Sequence, residues 1–198
     1  MWAIRILRAN QPTSVRHIIE NLAMTLDANY RIGLATAQHI DAIPVIEQSA
    51  AAIFPEADLP LGLRYRVTDK TTLRSAQARD RLWTAIDNND HVVGFAMVTE
   101  IDGNAHLDEM HVIPQHGRRG IGTRLAQIVV DWSRRQGYDA VTLVTFRHLP
   151  WNGPFYAGLG FSLVATNHLG PEIQALLHLE AAAGINIAKR QVMIMELQ

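Results

Sequence analysis

The sequence has no cysteine, no long apolar run and almost no net charge, and each absence excludes a class of protein. Without cysteine the chain has no disulfide and no thiolate for catalysis or zinc. No apolar run approaches the roughly 18 residues of a membrane helix. The net charge of −1 gives no overall field that would attract nucleic acid or an anionic membrane. We therefore expect a cytoplasmic protein that binds neither.

What is present suffices for a hydrophobic core. The chain has 198 residues, 48% of them hydrophobic and 19% charged, which is typical of one globular domain and not of a disordered chain. We expect the domain to span residues 31–198 and residues 1–30 to form an extension outside the core. Arg5 and Arg8 interrupt the apolar segment that a secretory signal needs.

Two interpretations of the first residues stay open. They could form a transit peptide, since they carry arginines and no acid before Glu20. They could also be an extension read from a start codon upstream of the true one at Met24. The second interpretation predicts that deletion of residues 1–23 leaves the melting temperature nearly unchanged.

The hydrophobic pattern predicts seven strands and four main helices. Short runs rich in β-branched residues predict strands at 31–37, 82–87, 91–101, 105–113, 140–146, 161–165 and 191–197. Apolar residues at helical spacing or helix-ending residues predict helices at 41–54, 71–81, 120–136 and 171–183. Asp69 or Thr71 could cap the second helix, and residues 55–69, with two prolines, are predicted to be a loop.

The connections predict the topology. Turn residues at 88–90 and at Asp102–Gly103 predict that residues 82–113 form a three-stranded antiparallel meander. The third strand, helix 120–136 and strand 140–146 have short links and form a βαβ unit, so these two strands should be parallel. Strands and helices in this order indicate an α+β fold with a mixed, mostly antiparallel sheet.

The junction before helix 120–136 has the sequence HGRRGIG, residues 116–122. The first N–H groups of a helix have no partner within it and carry about half a positive charge. The glycines let a ligand approach the main chain, and two arginines add charge. The segment therefore predicts an anion site, although an ordinary glycine-rich turn fits this feature equally well.

Two common phosphate motifs do not fit the junction. A P-loop needs a lysine and a hydroxyl after its final glycine, where this segment has Ile121 and Gly122. A dinucleotide fingerprint needs Gly or Ala at position 125, which is Leu125. A nucleotide-binding domain is therefore disfavoured.

Two segments resemble the signatures of one enzyme family. V-x-P-x-x-x-x-R-G-x-G at Val112–Gly122, followed by TRLAQ, resembles the acetyl-CoA-binding signature of the GNAT superfamily of N-acetyltransferases. WNGPFYAGLGF at Trp151–Phe161 is similar to the second signature, an Asn followed by a Tyr shortly before Gly-Phe. The resemblance covers roughly Arg31 to Gln198 and implies the GNAT fold, an α+β fold of three layers around a mixed, mostly antiparallel sheet of about seven strands. Gly117 stands where the family usually has Gln or Arg, and we expect Arg118 or the extra glycine to compensate.

The resemblance implies transfer of an acetyl group from acetyl-CoA to a primary amine, small molecule or peptide, by direct attack in a ternary complex. The main chain of Met110–Val112 would pair with the pantetheine arm, Gly117–Thr123 would hold the pyrophosphate, and Asn152 would bond the arm from the other side. The residues expected to bind acetyl-CoA are Met110, His111, Val112, Gly117, Arg118, Arg119, Gly120, Ile121, Gly122, Thr123, Asn152 and Tyr156. The alternative is a module that binds acyl-CoA without turnover.

The resemblance also implies the catalytic groups. Tyr156, four residues before Gly160, would be the general acid; the alternative is a packing tyrosine whose hydroxyl bonds a backbone carbonyl. Glu109 would be the general base, often acting through water; the alternative is a solvent-facing carboxylate. Asp108 should point to the other face because strand side chains alternate. Glu100 is a further candidate base.

In this fold the acceptor usually enters opposite the cofactor, here beside residues 54–69 and 166–190. Glu172 and Glu180, together with Glu109, would favour a cationic amine there. The alternative role of helix 171–183 is a lid that covers the sheet.

The remaining patterns predict absences. His106, His111 and His116 recur every five residues, which suits neither a strand face nor a helical metal pair, so we expect no metal. Arginine pairs at opposite ends of one helix make no continuous stripe for nucleic acid. The resemblance allows a homodimer. The tryptophans expected in the core are Trp83, Trp132 and Trp151.

Overall fold

The computed structural model describes residues 27–197, so expectations for residues 1–26, including a start at Met24, lie outside the described part of the chain. Seven strands form one sheet in the order β1-β2-β3-β4-β5-β7-β6. The strands are β1 Tyr30–Leu34, β2 Leu82–Asp87, β3 Val92–Ile101, β4 Asn104–Val112, β5 Ala140–Phe146, β6 Ser162–Leu163 and β7 Arg190–Glu196. All neighbours are antiparallel except β4 and β5, which confirms the predicted mixed sheet.

Helices and short 3₁₀ turns connect the strands. The α-helices are α1 Ile43–Ala51, α2 Leu61–Arg64, α3 Lys70–Ala78, α4 Ile121–Gln136, α5 Gly153–Gly158 and α6 Pro171–Ala182. The 3₁₀ helices are Ala37–Ala42, Pro114–His116, Thr166–His168 and Ile187–Lys189. No helix within residues 27–197 is long and apolar enough to cross a bilayer.

Several predicted boundaries were wrong. The helix predicted at 41–54 starts in 3₁₀ form and ends at Ala51, so Ile53 lies beyond it and is exposed. The predicted loop 55–69 contains α2. The strand predicted at 161–165 keeps two residues, since only Ser162 and Leu163 find partners on β7. Asp69 caps α3 by accepting the N–H groups of Thr71 and Thr72.

Helices cover both faces of the sheet, as three layers require. On one face α4 buries Ile121, Leu125 and Val129 against β2 to β5, and Trp83 meets Trp132 edge to face at 5.5 Å between ring centroids. On the other face the Ala37–Ala42 turn, α1 and α3 pack on Leu82, Phe95 and Met97 of β2 and β3.

The sheet opens between β4 and β5. The strands pair in parallel only at Ala105 with Val141 and at His106 with Thr142, after which they separate. A bulge in the β3–β4 pairing contributes, because Met97 pairs with Glu109 whereas Val98 pairs with Leu107. We call the opening between residues 107–112 and 143–146 the β4–β5 gap.

Candidate active site

A cavity of about 1010 Å³ joins the start of α4, the β4–β5 gap and the ends of α1 and α6. This volume is at the upper limit of ordinary ligand sites, so it suits a large ligand with a smaller second one. It brings together nearly all the predicted site residues. Those lining it are Glu109, Met110, His111, Val112, Gly117, Arg118, Gly120, Ile121, Gly122, Thr123, Asn152 and Tyr156.

The glycine loop, residues 116–123, forms one end of the cavity. The Gly117 N–H donates to the Pro114 carbonyl at 3.0 Å, and the Arg124 N–H donates to the Gly120 carbonyl at 2.9 Å. Between them, the main-chain N–H groups from Arg118 to Thr123 form no hydrogen bond to the main chain of residues 27–197. Arg118 and Gly120 have left-handed φ angles of +58° and +79°. Such alternation of conformation turns successive N–H groups inward and makes an anion-binding concavity.

The two arginines of the loop are placed differently. Arg118 lines the cavity. Arg119 lies over the Tyr30 ring, 6.0 Å from its centroid, and pairs with Asp27 at 3.7 Å. The side chain of Arg119 therefore fastens the loop to the start of β1, and Arg119, although predicted to bind the cofactor, does not line the cavity. Tyr30 also reaches the loop, because its hydroxyl lies 2.9 Å from His116 Nδ1.

Glu109 lines the cavity where β4 borders the gap, and its carboxylate bonds Nε2 of His111 at 2.6 Å. The His111 ring stacks on Phe95 with centroids 5.4 Å apart. Burial alone would lower the pKa of His111, but the Glu109 hydrogen bond and the charges of Glu109 and Glu47 outweigh it and raise this pKa. Positions 109 and 111 lie on the same face of a strand because side chains alternate. This spacing could have predicted the Glu109–His111 hydrogen bond from the sequence.

The prediction that Asp108 points away from the cleft was wrong. The bulge makes Asp108 the extra residue between the Met97–Glu109 and Val98–Leu107 pairs, so strict alternation fails there. Asp108 lines the cavity together with Glu109. Although its side chain is exposed to the cavity, the surrounding protein desolvates it, and with the nearby Glu109 charge this raises the pKa of Asp108 to about 6.

Glu100, the further candidate base, lies elsewhere. Its carboxylate accepts the Tyr138 hydroxyl at 2.7 Å and an Arg81 guanidinium N–H at 3.4 Å. It does not line the cavity. Glu100 is therefore not positioned to act on a ligand bound there.

Tyr156 lies on α5 and borders the cavity from the side opposite β4. Its ring is 8% exposed and packs edge to face against Phe155 and Phe161. No hydrogen bond joins its hydroxyl to a backbone carbonyl of the described residues. Burial, with the charge of Glu109 adding to it and that of Arg190 opposing it, raises the pKa of Tyr156. The hydroxyl is therefore protonated at neutral pH.

Asn152 immediately precedes α5 and lines the cavity. The next residue, Gly153, allows this turn to lie against the end of β5, because a Cβ there would be 2.8 Å from the Arg147 carbonyl oxygen. Trp151, expected in the core, is 42% exposed and lines the cavity. It lies in the turn between the end of β5 at Phe146 and the start of α5 at Gly153, so the core prediction was wrong for it.

The predicted acceptor segments do reach the cavity, at the end away from the glycine loop. We call this the acceptor end; it is lined by Ala50, Ile53, Phe54, Phe146, Trp151, Leu176, Glu180 and Arg190. Glu180 accepts two hydrogen bonds from Arg190, one of them from Nε at 2.8 Å. Of these residues, Arg190, Phe54 and Phe146 lie outside the two signature segments, and no sequence motif marks them as site residues.

Glu172, predicted to favour a cationic amine, is not at the acceptor end. Its own N–H and that of Ile173 donate to the Asp102 carboxylate at 3.0 and 3.1 Å, and the Glu172 carboxylate accepts the Asp102 N–H. The tip of the β3–β4 hairpin therefore caps α6. This contact joins residues 70 positions apart, so spacing along the chain gave no sign of it.

Comparison with known proteins agrees with this geometry. Residues 44–161 match the model of the acetyltransferase (GNAT) family. N-acetylglutamate synthase from Neisseria gonorrhoeae, solved with coenzyme A and N-acetyl-glutamate, is similar with a TM-score of 0.65 and 17% identity over 87% of this chain, which spans 36% of that protein. PaiA N-acetyltransferase from Thermoplasma acidophilum, solved with coenzyme A, has a TM-score of 0.61 and 16% identity over 84% of this chain and 98% of that one.

The ribosomal-protein-S18-alanine N-acetyltransferase from Escherichia coli is similar as well, with a TM-score of 0.59 and 19% identity over 85% of this chain and 94% of that one. At these identities the structural likenesses show the shared fold. The family match covers more than half of the chain. The chain therefore belongs to the GNAT family of acetyltransferases.

Proposed function

We propose that this enzyme transfers the acetyl group of acetyl-CoA to a primary amine by direct attack in a ternary complex. One observation carries the proposal: a continuous cavity links Glu109 and Tyr156 at the β4–β5 gap to glycine-loop N–H groups that have no main-chain partner among residues 27–197. Two similar proteins of known structure hold coenzyme A, which supports this co-substrate.

The cavity offers matching groups to two parts of acetyl-CoA, the anionic pyrophosphate and the pantetheine arm with its amides. The glycine loop offers main-chain N–H groups and the Arg118 charge to the pyrophosphate. On β4, Met110–Val112 pair with β3 on one edge and with no β5 residue on the other. That free edge would hydrogen-bond the pantetheine arm as an added strand, with Asn152 across the gap.

The residues at the gap supply the proton transfers that amide formation needs. The amine nitrogen attacks the thioester carbonyl carbon, a C–N bond forms, and the C–S bond breaks. Glu109 accepts a proton from the amine, directly or through water, and the Tyr156 hydroxyl donates one to the departing thiolate. Alignment of amine and thioester in one cavity supplies a large part of the acceleration.

The test is calorimetric titration with acetyl-CoA, CoA and ATP, using a variant that blocks the glycine loop. Gly122→Glu places a carboxylate at the second residue of α4, where the helix dipole tolerates it but a phosphate does not. We expect micromolar affinity for acetyl-CoA, about −8 kcal/mol, and its loss in the variant. Unchanged acetyl-CoA affinity in Gly122→Glu, or equal affinity for ATP, would overturn the proposed site.

Two variants control this experiment. Gly122→Ala tests bulk without charge, because a Cβ there makes ordinary contact with Phe155 at 3.5 Å. Gly33→Glu adds the same charge on β1, where a Cβ meets nothing within 4 Å. Thioester consumption across a panel of amines then separates an enzyme from a module that binds acyl-CoA without turnover.

A further inference from the structure

We infer that the acceptor is an amine that bears an apolar ring and has no carboxylate beside the amine, and that its ring binds at the acceptor end of the cavity. The inference rests on the proposed function, because it names the class of amine that the transfer uses. It is carried by the apolar surface and by the charge pairing found at that end.

Three aromatic rings form one wall of the acceptor end. The Phe54 ring lies 5.7 Å from Phe146 and 6.1 Å from Trp151, between ring centroids. Trp151 is 42% exposed, and Ile53 beside Phe54 is 44% exposed. Apolar surface that lines a cavity and stays exposed is typical of a site that a ligand covers. An acceptor with a ring would bury this surface, whereas a short polar amine would leave it in water.

The charges at the same end disfavour an acceptor carboxylate. The guanidinium there is Arg190, and Glu180 already occupies both its Nε and its Nη2. The Arg190 guanidinium carbon also lies over the Phe146 ring at 4.5 Å from its centroid, so its face is covered as well. An acceptor carboxylate would have to displace Glu180 from a bidentate, charge-assisted pair.

The other charges favour a cation. Among the described residues lining the cavity, the second guanidinium, Arg118, belongs to the glycine loop. Glu109 borders the gap, and its one side-chain partner among the described residues is His111. Because the pair at Arg190 is balanced, the two carboxylates of Asp108 and Glu109, facing one imidazole, leave the path of the amine negative. A protonated amine is therefore attracted, and an amine that also carries a carboxylate loses that advantage.

The test compares 2-phenylethylamine with L-phenylalanine, which differ only in the carboxylate, and with ethylamine, which lacks the ring. Each is titrated calorimetrically into the protein saturated with CoA. We expect 2-phenylethylamine to bind at least about tenfold more tightly than either other amine. L-phenylalanine or ethylamine binding as tightly, or no binding of 2-phenylethylamine, would overturn the inference.

Three variants locate the effect. Trp151→Ala should lower the affinity for 2-phenylethylamine by about tenfold and leave the affinity for ethylamine unchanged. Tyr65→Ala removes an aromatic ring that is 74% exposed and lies outside the cavity lining, and should change neither. Glu180→Gln removes the charge that pairs with Arg190. It should therefore reduce the difference in affinity between 2-phenylethylamine and L-phenylalanine. An unchanged difference would contradict the role given to the Arg190–Glu180 pair.

These affinities need no turnover, so the two proposals can fail separately. Thioester consumption is measured on the same proteins with acetyl-CoA. If 2-phenylethylamine binds as expected and acetyl-CoA is not consumed, the preference of this end for a ring-bearing amine stands and the proposed transfer fails. If acetyl-CoA is consumed with L-phenylalanine in preference, the transfer stands and the inference is overturned.

Discussion

The two ends of the cavity are built in different ways. The glycine loop is one contiguous segment, residues 116–123, whose main chain provides the binding groups. The acceptor end is assembled from Phe54, Trp151, Glu180 and Arg190, which come from separate parts of the chain. A contiguous site that acts through its main chain is visible in a sequence. A site made of side chains from distant segments becomes visible only when the fold brings them together.

Because the two ends of the cavity are built differently, substitutions in different parts of the cavity should change different properties of the enzyme. Changes in the glycine loop should alter the affinity for acetyl-CoA, whereas changes at the gap should alter the rate of transfer. The residues proposed for the chemistry, Glu109 and Tyr156, lie between the two ends and give the sharpest tests of this division.

The largest expected effect is that of Tyr156→Phe. Removal of the general acid should lower kcat by about 100-fold or more, with acetyl-CoA affinity unchanged. The fold should tolerate the change, because the Phe ring keeps the packing against Phe155 and Phe161 and the hydroxyl bonds no described backbone carbonyl. Steady-state kinetics and calorimetry measure the two quantities.

Tyr138→Phe is the matched control for this variant. It removes a hydroxyl that bonds Glu100 at 2.7 Å, outside the cavity, and should keep kcat. If Tyr156→Phe instead weakened acetyl-CoA binding and kept kcat, Tyr156 would belong to the binding end, and the proposed division would be wrong.

A smaller effect is expected for Glu109→Gln. Below the pKa of the acceptor the amine is protonated and needs a base, whereas at high pH it is already neutral. The variant should therefore lose most of its rate at low pH, by about 100-fold, and approach the unsubstituted enzyme at high pH. A pH profile of kcat/KM, with Glu100→Gln as the same change outside the cavity, checks this. A uniform loss at every pH would assign Glu109 a role other than that of base.

Much of the scaffold could be predicted from periodicity and turn chemistry. The meander and the βαβ unit follow from hydrophobic patterns with short links, the resemblance to the GNAT family implied the seven-stranded sheet, and the structure confirms all three. The glycine loop could be predicted because Gly120 has a left-handed φ of +79°, a conformation that glycine adopts without strain. The meander, the βαβ unit and the glycine loop depend on interactions between residues close together in the sequence.

The failures share the opposite property. Alternation excluded Asp108 from the cleft, but a bulge set by pairing with β3 placed it there. Glu172 had the right charge for the acceptor end, but the hairpin tip at Asp102 uses it to hold α6. Arg119 and Arg118 were both predicted to bind the cofactor, but the side chain of Arg119 pairs with Asp27 and lies over the Tyr30 ring. Each outcome was decided by a partner distant in the sequence.

At the glycine loop, Arg118→Gly should separate stability from binding. Arg118 has a left-handed φ of +58°, which costs a non-glycine residue about 1 kcal/mol. Glycine should relieve this cost and raise the melting temperature, while loss of the charge weakens acetyl-CoA binding by about tenfold. Arg118→Ala should weaken binding equally without the gain in stability. Equal melting temperatures for the two variants would show that the left-handed turn is not strained.

The smallest expected effect concerns Asp108, at the border between the two ends. Desolvation and the Glu109 charge raise the pKa of Asp108 to about 6, above the value of about 3.9 in an unfolded chain. Its ionisation therefore destabilises the fold increasingly as the pH rises from about 4 to 6, and fully above that range. Asp108→Asn should stabilise the protein at about pH 8, by no more than about 1 kcal/mol because solvent in the cavity screens the charge. At about pH 2, where Asp108 is protonated in both states, the two proteins should unfold at the same denaturant concentration. A gain of the same size at both pH values would mean that packing, and not charge, makes Asp108 unfavourable.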